Sequence, residues 1–167
     1  MKKIESIGVI FLLIFSIACQ GQKLENTKTE TFSVTDSDKF FFLLDNYFDL
    51  NTIQPCYSNP TKETVVANKH VLSEKDTIKA YDDSKNYFSF YISKSNILLQ
   101  TCAIINNDVL KNDIKIGMTR NDFNTFLGIT SNADNIILQD FERSGKFAFI
   151  FKNGLLFGIS YKLKYLD

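Results

Sequence analysis

Two stretches of this chain carry nearly the same alternation of apolar and polar residues, and that repeat constrains the fold more than any other feature. Residues 86–99 read NYFSFYISKSNILL and residues 145–157 read GKFAFIFKNGLLF. Overlaid, their apolar positions coincide with one residue of slack in the turn. A period of two predicts strands with one face buried, and short polar breaks between such runs predict hairpins. The first stretch lies in a predicted meander of strands at 77–82, 87–93 and 97–105, and the second in one at 136–141, 146–151 and 155–165. Asn153-Gly154 is the strongest turn signal, since both positions tolerate the positive φ of a type I′ turn.

A helix precedes each meander. Asp36 and Ser37 are candidate N-caps for a helix with Phe40, Leu43, Leu44 and Tyr47 at i, i+3, i+4, i+7, ending near Phe48. Residues 49–59, with Pro55, read as a loop, and 61–72 as an irregular strand or hairpin around Val65-Val66 and Val71-Leu72. The second helix has Thr119 as N-cap, with Asp122 three residues on in an Asp variant of the capping box. Phe123, Phe126 and Leu127 form its apolar face, and Gly128 is its C′ residue. The expected class is α+β, an antiparallel sheet with helices packed on one face. Two helix-plus-three-strand halves, 37–110 and 111–167, and a chance likeness of short meanders both fit the pattern.

The amino end reads differently. Met1-Lys2-Lys3 precedes an apolar run over 7–18, too short and too closely flanked by Glu5 and Lys23 for a spanning helix, which needs about 20 apolar residues. Ser16-Ile17-Ala18-Cys19 resembles the lipobox of bacterial lipoproteins, which implies a signal peptide at 1–18 and acylation of Cys19. Multiple acyl chains make such an anchor durable. Residues 19–36 then read as a polar, flexible tether and 37–167 as a single α+β domain. With no Asp or acidic cluster after Cys19, the resemblance implies an outer-membrane protein facing the periplasm.

Composition narrows the classes. Lys+Arg and Asp+Glu are equal at 19 each, with no basic run, which argues against nucleic-acid binding. Sixteen Phe and no Trp predict a Phe-rich core. Beyond Cys19 the cysteines are Cys56 and Cys102, in an expected oxidising compartment. Spacing leaves open whether they pair as a disulfide or lie buried as free thiols.

Little points to catalysis. His70 is the lone histidine, with no nucleophile at a telling spacing. Asp82-Asp83 and Asp140 with Glu142 fall at equivalent strand ends, where turn formation explains carboxylates better than acid–base work. No phosphate loop or metal-ligand spacing occurs, so the expectation is a non-enzyme without cofactor, metal or small-molecule substrate. Binding has one clue: Tyr87, Ser89 and Tyr91 alternate with Phe88, Phe90 and Ile92, so that with Tyr81 they offer a tyrosine-bearing face for a protein partner. The alternative is that a helix or the tether covers that face.

Gly117-Met118-Thr119 through Phe126-Leu127-Gly128, with the hairpins that follow, resembles the SmpA/OmlA (BamE-like) lipoproteins and the β-lactamase-inhibitor-protein-like domains over 114–163. Ile129-Thr130 stand where that family commonly has Pro after the LG. The resemblance implies a small periplasmic helix-and-sheet domain that binds protein surfaces, as a non-catalytic scaffolding module of the envelope or as an immunity or inhibitor protein against a toxin or hydrolase.

Overall fold

The computed structural model describes residues 30–106, 109–110 and 113–164. Its hairpins follow from local turn chemistry. Asn153 and Gly154 both take positive φ, 52° and 74°, and reverse β7 (Gly145–Lys152) into β8 (Leu155–Leu163). Asp140 shapes the turn between β6 (Asn135–Gln139) and β7: its carboxylate accepts from Ser144 Oγ at 2.8 Å and from the Gly145 amide. Between β3 (Lys75–Asp82) and β4 (Asn86–Ile92), Asp83 accepts from the Lys85 and Asn86 amides. These bonds replace the ladder partners a turn lacks.

With β1 (Thr31–Thr35), β2 (Lys62–Ala67) and β5 (Ile97–Ile104), the strands form one eight-stranded sheet in the order β1-β6-β7-β8-β5-β4-β3-β2. The two meanders meet along an antiparallel β5–β8 seam. The sheet is mixed rather than wholly antiparallel, because β1 pairs in parallel with β6 from Thr31↔Asn135 to Thr35↔Gln139. The fold class is α+β. Three further details differ from the sequence expectation. Residues 31–35, read as the end of a tether, form an edge strand, and β2 gives the first meander four strands instead of three. Residues 49–59, read as a loop, hold a short helix at Leu50–Ile53 and a 3-10 turn at Gln54–Cys56, because the Asp49 carboxylate takes the amides of Asn51 and Thr52.

β1 and β2 are the two edges, so the chain between them traverses the width of the sheet. It does so through α1 (Ser37–Tyr47), α2 (Leu50–Ile53) and a 3-10 turn at Gln54–Cys56. Asp36 caps α1 by accepting from the Lys39 amide at 3.0 Å, and Asp49 caps α2. The second predicted helix is α3 (Arg120–Leu127), with both expected ends: Thr119 Oγ1 accepts from the Asp122 amide, and Gly128 sits in the left-handed region at φ 60°. In place of a full capping box, the Asp122 carboxylate takes the Thr119 hydroxyl at 2.7 Å.

The core is aromatic, as the composition predicts. Phe40 of α1 lies against Phe147 and Tyr161, and Phe123 of α3 against Phe149 and Phe151 with centroids 4.7 and 5.2 Å away. Tyr57, beyond the 3-10 turn, packs on Tyr81 and Phe88. Tilted and edge-to-face pairs of this kind add about 0.5–1.5 kcal/mol each beyond their burial. Phe42 and Tyr47 meet Phe126, tying α1 to α3.

Candidate functional site

Side chains alternate across a strand, so the residues that alternate with buried ones point the other way. Register aligns four of them: Tyr87 of β4 is opposite Ala103 of β5, Ala103 opposite Ser160 of β8, and Ser160 opposite Ala148 of β7. A row of small side chains thus leads away from Tyr87, which is 38 % exposed. Further exposed apolar residues flank the row, including Ile105, Ile150 and Phe157, whose ring carries Lys152 Nζ 3.4 Å from its centroid. The sequence reading missed this carboxy-half contribution, although the alternation of Lys146, Ala148 and Ile150 against Phe147, Phe149 and Phe151 carried it.

The three tyrosines assigned to one face do not share it. Tyr81 is opposite Phe88 in register and only 1 % exposed, with its ring against Tyr57 and Phe90, so it belongs to the core. Alternation within one strand cannot reveal which neighbour a residue will face on the next. Tyr87 and Tyr91 do share a face but differ in freedom. The Tyr91 hydroxyl donates to Asp76, and that hydrogen bond, ahead of burial, raises its pKa above the ordinary tyrosine value.

Asp76 organises the β2–β3 connection. It is 2 % exposed and accepts from Asn68 Nδ2 at 2.8 Å, while Asn68 Oδ1 takes the amides of His70 and Val71. Among the described residues the second oxygen, Asp76 Oδ1, is buried without a hydrogen-bond partner. Tyr91 is therefore part of a polar brace and Tyr87 the more available ring.

The other candidates separate. Cys19 and the signal-like segment lie outside the described residues. Cys56 and Cys102 are free thiols rather than a bridge: Cys56 Sγ faces the Thr52 carbonyl at 3.9 Å, and Cys102 is buried on β5 between Phe88 and Tyr161 in register, where burial pushes its thiol pKa up. The carboxylates at the two turns do not meet, since β3 and β6 are five strand spacings apart, about 24 Å laterally. Burial alone would raise the Asp83 pKa, yet the Lys85 and Asn86 donors outweigh it and hold the group below its ordinary value, as expected of a turn-forming carboxylate. His70 is exposed and reaches the turn brace through its amide.

No group of metal-ligating side chains and no helix long and apolar enough to cross a membrane occurs among the described residues. Comparison with protein-family models, curated proteins and solved structures finds no match to the chain.

Proposed function

We propose that this chain is an envelope lipoprotein, acylated at Cys19 and held on the periplasmic face of the outer membrane, whose domain binds or scaffolds a protein partner without catalysing a reaction. In this reading α1 and α3 cover a single face of the sheet, the two meanders with their helices are pseudo-repeats, and the opposite face meets the partner. The observation that carries the proposal is the row from Tyr87 through Ala103 and Ser160 to Ala148. Small side chains let another backbone approach, while a flanking Tyr supplies apolar area with a polar tip. The likeness of 114–163 to BamE-like domains supports the same class of function, resting on the Gly117 to Gly128 motif and the hairpins after it.

The test compares the wild-type chain with Cys19→Ser in membrane fractionation followed by affinity capture. The proposal expects wild type in the outer-membrane fraction with one discrete envelope protein captured, and the variant released from that fraction. A variant that still sediments with the outer membrane excludes the anchor. Capture that Tyr87→Asp leaves unchanged excludes the face.

A further inference from the structure

α1 carries more apolar surface than its packing on the sheet consumes. Phe40, Leu43 and Tyr47 are buried toward the core, yet Phe41 stays exposed, Leu44 is only half-buried, and the exposed Asp45 stands beside them. Phe41, Leu44 and Asp45 line a cleft of about 550 Å³, with the buried Phe48 and Phe90 and, from β5 and β8, Ile97 and Leu163 also in its lining. The volume lies within the range of small-molecule sites, roughly 300–1,000 Å³. Phe41 and Ile97 stay 47 % and 51 % exposed beside it, so an apolar occupant would take both from water.

The charge around the cleft is one-sided. Asp45 and Asp49 are among the lining residues, which include His70 but no Lys or Arg. Asp49 is occupied by the Asn51 and Thr52 groups that it caps. Asp45 is exposed and makes no ion pair among the described residues. An anionic head group would thus stand beside two carboxylates with no basic lining side chain to offset them, whereas a cation finds a free partner. We propose that this cleft takes the hydrocarbon tail of a single-chain amphiphile and holds its ammonium head at Asp45.

The whole chain, isolated from expressing cells and freed of detergent, is loaded with the neutral dye N-phenyl-1-naphthylamine. Dye is then displaced with decyltrimethylammonium or decanoate below their micelle-forming concentrations. The ammonium should displace at a concentration roughly fivefold lower than the carboxylate with the same tail, about the contribution of one exposed ion pair. Asp45→Asn should erase that difference while keeping tail-driven displacement. Ile97→Asp should weaken both probes, and Val65→Asp, on the exposed edge strand β2 and absent from the cleft lining, should change neither. Circular dichroism establishes that each variant is folded. The proposal is overturned if neither amphiphile displaces dye saturably, if decanoate matches the ammonium, or if Val65→Asp rather than Ile97→Asp removes displacement.

Discussion

Along β7, Phe147, Phe149 and Phe151 are buried, whereas Lys146, Ile150 and Lys152 between them are exposed; β4 repeats the contrast with Phe88 and Phe90 against Tyr87. One set meets Phe40 and Phe123 from the helices, and the other runs through small residues aligned across four strands. β4 and β7 thus commit their Phe side chains to packing and leave Tyr87, Lys146, Ile150 and Lys152 accessible. Stability and partner binding should therefore respond to different substitutions.

The largest effect should come from the packed side. Phe147→Ala removes a ring that touches Phe40, Phe48 and Tyr161, and should cost about 3–5 kcal/mol in urea unfolding. A loss under 1 kcal/mol would mean that the core closes over the gap and that the two sides contribute alike to stability.

Tyr91→Phe tests the polar brace. It withdraws a donor from buried Asp76, whose other oxygen already lacks a partner among the described residues, and should cost about 1–3 kcal/mol. An unchanged unfolding midpoint would free Tyr91 from the brace and return it to the same standing as Tyr87.

Acid sensitivity gives a smaller effect. The hydrogen bond from Lys39 is the main cause that lowers the Asp36 pKa below 3.8, so the ionised cap is favoured in the folded state. Its stabilisation is present above that ordinary value and is lost as pH falls through the lowered one. Asn caps a helix about as well as Asp, so Asp36→Asn should change stability at neutral pH by only a few tenths of a kcal/mol and flatten the decline as pH falls below 3.8. An acid decline as steep as wild type would remove Asp36 from the account.

Tyr87→Ala should also leave stability within about 0.5 kcal/mol of wild type by thermal unfolding, at any pH, because it trims an exposed ring. A large loss would make Tyr87 a packing residue and abolish the distinction between the two sides.

What the sequence made legible was local. Thr119 and Gly128 mark α3, Asp36 starts α1, and Asn153-Gly154 makes its hairpin, because each acts through bonds a few residues away. What stayed hidden was non-local. The five residues TFSVT look like a polar tether until β6, about a hundred positions on, supplies the ladder partner. Tyr81 looks like a neighbour of Tyr87 until register places it against Phe88. The row from Tyr87 to Ala148 likewise exists only once the β5–β8 seam brings the two meanders together.

Photo-crosslinking in living cells reads whether the side of the sheet bearing Tyr87 meets the partner. A benzophenone side chain is placed at Tyr87 in one chain and at Phe41, on the cleft side of α1, in another. The account predicts one discrete protein adduct from position 87 and none of that size from position 41. The same adduct from position 41 with none from position 87 would contradict it.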